Sequence, residues 1–373
     1  MTNQLKGFQP DWVSPPGETI LDVMEERDWS QAELAQRLGF STKHLNQLVK
    51  GKVALTDEAA LRLERVLGST ANFWLNREAK YREHLARIEA QERYKAWTGW
   101  LDQLPLAELK KAKVIPDERI TSAVKPALVE RLLSFFGVAS PDSWQTQYGD
   151  MQASLRRTRE TQSDVGAIAS WLRLGEIKAE QIELPKYNRA TFIKALDDIR
   201  EMTTQPPQQF EPAMRQLCGE AGVKLVLVPA IPKSHVSGVA RWLNRHTPLI
   251  QISLYGKTND KFWFTFFHEA AHILLHAESK ADIFLDDPNH GTTDSEQEHE
   301  ANRWAGDKLI PPSHAFEVSQ IVPTAPEITA FATSINIHPG IVVGRLQHEG
   351  RLGYATPLNK LKQSFRFVEE CER

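Results

Sequence analysis

Residues 263–276, WFTFFHEAAHILLH, carry three histidines at four-residue spacing, with a glutamate directly after the first. On a helix of 3.6 residues per turn, His268 and His272 stand one turn apart on one face, close enough to grip one zinc ion. Glu269 is rotated off that pair. There its carboxylate can lie beside an activated water, take its proton as general base and pass that proton to a leaving amine. The chemistry suggested is metal-assisted hydrolysis of a peptide bond. The competing reading is a buried helix that merely contains histidines, which is costly unless each ring finds hydrogen-bond partners. The apolar flanks FWFTFF and ILL place the motif in a core in either case.

A hydrolytic zinc keeps one position open and needs a third protein ligand. The position ten residues after His268 is Glu278, so the metzincin pattern fails, and its glycine is absent too. His276 lies one turn further along the same helix. Two successive i,i+4 pairs cannot both close on one ion from a straight helix, so His276 is expected beside the metal site or at the surface. A second helix, EHEANRWAGDKLI, stopped by Pro311 and Pro312, is the better source. Glu298, Ala301, Ala305 and Leu309 form one stripe, and a carboxylate on a small apolar stripe points inward. Glu300 falls near Trp304 and Lys308, where a surface role is natural. Spacing alone leaves Glu298 open between ligand and a solvated charge at the helix start, with Glu300 as the fallback ligand.

The elements that must hold these residues are short strands and helices. GVKLVLVPAI and TPLIQISL are β-branched apolar runs with GVARWLN between them, and they read as a small antiparallel sheet leading into the motif helix. A polar loop, DDPNHGTTDSEQ, joins the two helices, and a helical segment follows to the C-terminus. Upstream, the pattern is helical and broken at prolines. The fold class expected is mainly α with a small antiparallel sheet (α+β). It divides into a helix-turn-helix domain over 1–90, a helical linker or sensor region over 91–212, and a metallopeptidase-like domain over 213–373. The Trp and Phe of LVERLLSFFGV, AIASWLRLGE and FIKALDDIREMT read as core.

Near the N-terminus, Ser30 and Glu33 have capping-box spacing, Gly39 permits a tight turn, and Ser41 can cap a second helix with Leu45 and Leu48 inward. Ala32, Leu34, Ala35 and Leu38 supply the apolar positions of the first helix. Thr42, Lys43, Asn46 and Gln47 are polar side chains able to reach base edges in a major groove, and Gln31 is placed to contact a phosphate. Arg37, Lys43, Lys50 and Lys52 make residues 37–52 basic, with no acidic residue among them. The bland alternative is an αα-hairpin inside a bundle.

The formal charge of −3 gives no global attraction to nucleic acid, so DNA contact must come from such a local surface. Two cysteines, Cys218 and Cys371, exclude a disulfide framework or a Cys-rich zinc module and fit a reducing cytosol. No apolar run approaches 18 residues and the start lacks a signal-peptide core, so a cytoplasmic protein without membrane contact is expected.

Two resemblances sharpen these readings. PPGE, LTDEAALRLERVLG and FWLNREAKY, with the turn between them, resemble the XRE-type DNA-binding domains of HigA-like antitoxins over about 70 residues. The resemblance implies a five-helix domain that binds a palindromic operator as a homodimer, often as an autorepressor, and a toxin as partner. HEAAHILLH followed by EHEANRWAGDKLIPP resembles the ImmA/IrrE metallopeptidases. Their second motif, E-x-x-A-N/D-x-aromatic-A-x-x-L-hydrophobic-P, is matched at Glu298, Ala301, Asn302, Trp304, Ala305, Leu309, Ile310 and Pro311. This resemblance implies a gluzincin-like site, with His268, His272 and Glu298 as zinc ligands and Glu269 as catalytic acid/base. Its implied substrate is a repressor or other partner protein in a stress, phage or toxin–antitoxin switch. Trp304 replaces a usual Phe, Ile310 a usual Leu, and Ala271 stands where Gly is common; none removes a ligand. The same likeness extends upstream through VSGVARWLNRHTPLIQISLYGKTNDKFWFTFF and downstream through INIHPGIVVGRLQHEGRL, about half the chain. His235, Arg241 and Tyr255 are candidates to stabilise an oxyanion, though a loop histidine and a surface arginine are the simpler expectation. Arg345 and Gln347 superficially suggest a second recognition helix, for which packing against the peptidase-like domain is the simpler reading.

Overall fold

A computed structural model describes residues 14–148, 164–276, 284–286 and 296–367. Contacts divide the chain into one unit formed by residues 1–99 and 120–129 and a second formed by residues 100–119 and 130–373.

The first unit is built on helices α1 (Pro16–Glu26), α2 (Gln31–Leu38), α3 (Thr42–Val49), α4 (Asp57–Leu67) and α5 (Ala71–Ala96). Each start after the first is signalled by a hydroxyl. Ser30 caps Glu33 N–H at 3.2 Å, Ser41 caps His44 N–H at 3.1 Å, and Thr56 and Thr70 do the same for α4 and α5. Gly39 ends α2 with φ +67°, a left-handed conformation that costs glycine nothing. The core contains Ile20, Leu34, Leu38, Leu45, Leu48, Leu63 and Trp74. Ala32 faces outward instead, because Leu34, Ala35 and Leu38 already fill the buried stripe of this two-turn helix.

The second unit includes α6 (Leu106–Lys111), most of α7 (Lys125–Phe136), α8 (Val165–Glu180), α9 (Arg189–Glu201) and α10 (Pro207–Glu220). Strands β1 (Lys224–Leu227), β2 (Gly238–Asn244) and β3 (Thr247–Ile252) precede helix α11 (Asn259–Leu275). Then come β4 (Phe284–Asp286), α12 (Glu296–Leu309), α13 (Ala315–Gln320), α14 (Ala325–Ser334) and α15 (Pro339–His348). The α+β class holds, and GVARWLN forms β2 itself. The sheet is not wholly antiparallel. Its order is β1-β3-β2-β4, with β1 parallel to β3 and the other pairs antiparallel. A two-residue turn makes β2 and β3 a hairpin, and residues 228–237 carry the chain past the place beside β1. β3 fills that place and must run with β1.

Side chains alternate between the two faces of the sheet, as the two-residue period of a strand requires. Val226, Val239 and Leu249 pack with Ile168, Trp171 and Leu172 of α8. Leu225, Ala240, Ile250 and Ile252 share the larger core with α9, α10 and Phe262, Trp263, Phe266 and Phe267 of α11. The Phe and Trp of α7, α8 and α9 that were read as core are largely buried, Phe136, Trp171 and Phe192 among them. In α11 every residue from 265 to 274 is buried, which suits a helix apolar on nearly all sides. Its first turn is held by a strap from the C-terminal segment. Asn259 N–H donates to Gln363 C=O at 2.8 Å, Gln363 N–H returns to Asn259 Oδ1 at 3.0 Å, and Phe365 N–H reaches Lys257 C=O at 2.7 Å. Lys362 Nζ lies 2.5 Å from Asp260 and 2.7 Å from Gln347 Oε1. Gln347 is thus a buried packing residue of α15, and Arg345 pairs with Glu349 at 2.6 Å. Among the described residues, no helix is long and apolar enough to cross a membrane.

Candidate metal centre and DNA-reading helix

The imidazoles of His268 and His272 turn their Nε2 atoms toward each other, 3.0 Å apart. α12 packs against α11 and brings Glu298 to them. Its Oε2 lies 3.2 Å from His268 Nε2 and its Oε1 3.4 Å from His272 Nε2. The stripe expected on α12 is the buried one: Glu298, Ala301, Ala305 and Leu309 are all inside. Tetrahedral zinc with N and O ligands at about 2.0–2.2 Å sets neighbouring ligand atoms roughly 3.3–3.6 Å apart. The three observed separations fall on that spacing or a few tenths of an ångström inside it, so His268, His272 and Glu298 form a group that can hold a metal ion.

The electrostatics suit a cation. Burial holds the His272 ring well below the usual histidine value, at about 4, against the upward pull of Glu298, so at neutral pH the ring is uncharged. Burial also opposes ionisation of Glu298, but hydrogen bonds from His268 and His272 outweigh it and hold the carboxyl below the usual carboxylate range. One carboxylate and two imidazole nitrogens are a borderline donor set of the kind zinc takes.

Glu269 is completely buried. Gly238, the first residue of β2, faces it: a Cβ there would stand 2.6 Å from Glu269 Oε1, 2.6 Å from Thr265 Cγ2 and 2.9 Å from Glu269 Cγ. The missing side chain leaves the space that the carboxylate occupies. The sequence reading did not single out Gly238 or Thr265. A glycine opening a strand pattern is the available signal, since it marks close approach of another group.

His276 ends α11, buried, with its Nδ1 2.9 Å from His272 Nδ1 and its Nε2 3.1 Å from Glu300. It stands behind His272, on the side away from His268. Glu300 is exposed, as its surface reading expects, but it pairs with His276 rather than with Lys308, which lies over the Trp304 ring and turns to Asp197. The oxyanion candidates separate. His235, at φ +51°, has its Nδ1 2.8 Å from the Tyr255 hydroxyl. Arg241 is buried rather than at the surface, bonded to Glu176 at 2.6 Å and to Leu172 C=O at 2.9 Å. It lies three residues from Gly238 and so points to the α8 face of the sheet, away from α11. Most of the DDPNHGTTDSEQ loop and Cys371 lie outside the described residues; Cys218 is a buried free thiol.

In the first unit, Thr42 and Lys43 are exposed on the first turn of α3, and Lys50 is exposed just past its end. Ser41 is exposed and spends its hydroxyl on the cap. Asn46 and Gln47 are half-buried, and Asn46 Nδ2 donates to Gln31 Oε1 at 3.4 Å, tying the start of α2 to α3. Arg37 lies over the Trp29 ring at 4.2 Å and pairs with Glu33 at 2.8 Å.

Comparison with known proteins matches both regions. The helix-turn-helix family pattern covers residues 20–74, and the IrrE N-terminal-like domain of peptidase family M78 covers residues 220–318. The chain is 32% identical over 93 residues to an Escherichia coli K12 protein described as uncharacterized HTH-type transcriptional regulator YbaQ, covering 82% of that protein. The chain belongs to the XRE-type helix-turn-helix regulators and carries an M78 peptidase-family domain. A second relative is uncharacterized HTH-type transcriptional regulator YddM of the same strain, 36% identical over 61 residues. The chain spans 65% of the length of YddM, and the two alignments take in 16% and 22% of this chain. The M78 domain spans Glu269 and all three candidate ligands, and M78 domains are of a metal-dependent peptidase type.

Proposed function

We propose that this protein is a DNA-binding transcriptional regulator whose second unit is a zinc-dependent endopeptidase. It would cleave a repressor or partner protein in a stress, phage or toxin–antitoxin switch. The observation that carries the reading is the buried Glu269, next in sequence to one ligand and accommodated by Gly238. His268, His272 and Glu298 would hold the ion. When bound, a divalent cation supplies Lewis-acid polarisation of the peptide carbonyl and a water acidified to near neutrality. Glu269 takes the water's proton on a carboxylate oxygen and returns it to the departing amide nitrogen. The packed shell of Phe266, Phe267 and Ala270 excludes bulk water from the helix that carries these groups.

Gln31, Ser41, Thr42, Lys43, Asn46, Gln47 and Lys50 would form the operator contact. Gln31 and Lys50 would contact phosphates, and Thr42, Lys43, Asn46 and Gln47 would read base edges. A homodimer on a palindromic operator, acting in the cytoplasm, fits this assignment. A second reading, a non-catalytic autorepressor of antitoxin type with a structural or sensory metal domain and a toxin partner, draws on the relatives' names, which mention regulation alone.

The two readings separate on Glu269→Gln. The zinc-loaded wild type is expected to cleave members of a proteome-derived peptide library, and the variant to keep its zinc and cut nothing. Cleavage at wild-type rate by Glu269→Gln would remove Glu269 from the mechanism, and no cleavage by the loaded wild type would favour the second reading.

A further inference from the structure

We infer that His276 and Glu300 form a hydrogen-bond relay that fixes the tautomer and orientation of His272 and thereby tightens metal binding. The inference rests on the metal-site reading above and adds two positioning residues to it.

An ion held at the site leaves one consistent assignment of protons along this chain of contacts. His272 presents Nε2 to His268 and Glu298, at 3.0 and 3.4 Å. With an ion held there, that nitrogen contributes its lone pair, so the ring proton of His272 sits on Nδ1. His272 Nδ1 faces His276 Nδ1 at 2.9 Å, a distance at which one nitrogen donates and the other accepts. His272 is the donor, hence His276 Nδ1 accepts and carries its own proton on Nε2. That Nε2–H points at Glu300, 3.1 Å away, and a carboxylate is acceptor-only. The chain therefore runs His272 Nδ1–H to His276 Nδ1, then His276 Nε2–H to Glu300 Oε2, and ends on a negative charge.

Placement supports a positioning role. His272 and His276 side chains are 1% and 5% exposed, so the first bond is shielded from competing water, whereas Glu300 is half-exposed and keeps its charge solvated. His276 joins α11 to the helix that supplies Glu298, at a point two residues along α12 from that ligand. Its helix-end position, with its N–H bonded to His272 C=O at 3.1 Å, sets the ring behind the ligand. Partners of this kind typically change metal affinity by about 10–100-fold.

The test is zinc affinity by chelator competition for wild type, His276→Leu, His276→Gln and Glu300→Ala. It is read together with the nitrogen-15 resonances of the His272 ring in the zinc-loaded protein and the unfolding of each metal-free form. The expected result is one zinc per chain in all, with affinity about 10–100-fold weaker in His276→Leu and about 10-fold weaker in Glu300→Ala. His276→Gln, whose amide oxygen can accept and whose amide nitrogen can donate, should recover most of the loss. A slowly exchanging His272 Nδ1–H signal should be present in wild type and lost in His276→Leu. Wild type binding zinc with all variants within twofold of it overturns the relay and leaves the metal site standing. Wild type failing to bind zinc overturns the metal-site reading and the relay together. Affinity loss that merely follows a fall in metal-free stability, with the Nδ1–H signal retained, overturns the relay as well.

Discussion

Consider the metal-free protein as the pH falls. Burial moves the His272 ring from its ordinary 6.5 to about 4. In the unfolded chain the ring takes a proton below its ordinary value, while in the fold it resists until near 4, so between those values the unfolded state binds more protons. Stability must fall with pH across that window, being fully present above the unfolded value and lost as the pH passes through the folded one. At about 1.4 kcal/mol per pKa unit the full shift amounts to about 3 kcal/mol, of which about 2 kcal/mol is spent between roughly pH 6.5 and 5. His338 is lowered by burial too and adds slope of the same sign, so the comparison needed is with His272→Gln, which retains His338. Glu298, held below the carboxylate range, titrates beneath this window. The assay is urea unfolding of chelator-stripped protein between about pH 7 and 5, read in α11 by pulse-labelling mass spectrometry. Wild type should lose about 2 kcal/mol more than His272→Gln. Parallel losses would refute the claim that this ring is held uncharged by its surroundings.

Two further outcomes follow from the two faces of the sheet. Gly238→Ala puts a methyl group 2.6 Å from Glu269 Oε1, so the carboxylate must retreat by most of an ångström. Metal content should stay at the wild-type level while cleavage of a wild-type substrate peptide falls about 100-fold, and unchanged cleavage would free Glu269 from that position. Arg241→Met, on the opposite face, leaves Glu176 with Arg173 alone. It should cost about 2–3 kcal/mol in the unfolding of this unit with zinc affinity unaltered, a result read from denaturation and chelator competition side by side.

How much was legible follows from which period governed each residue. The 3.6-residue period put His268 and His272 on one face, and placed Glu298 on a stripe that proves to be buried. It could not show that Glu300 meets His276, because that contact depends on how α11 and α12 lie against each other, which no single-helix pattern contains. Strand parity does separate Gly238 from Arg241, but only once Gly238 is known to begin a strand and α11 to cover its face. Without that, Arg241 reads as a surface residue. Strand direction was likewise hidden: the apolar run around β1 has no polarity of its own, and its parallel pairing with β3 is set by where the hairpin docks. In the first unit the caps and the Gly39 turn are local signals, and these are the features that sequence reads best.

The strap over the first turn of α11 has a consequence for synthesis. Its bonds to the start of that helix join residues 102 to 108 positions apart, from Asp260 to Lys362, from Asn259 to Gln363 and from Lys257 to Phe365. A ribosome delivers these halves several seconds apart at ordinary elongation rates. Until the later half emerges, the start of the histidine-bearing helix lacks its anchor, while the helices of the helix-turn-helix region, complete long before, are free to fold. The nascent chain thus acquires its helix-turn-helix fold well before it acquires a finished candidate metal centre.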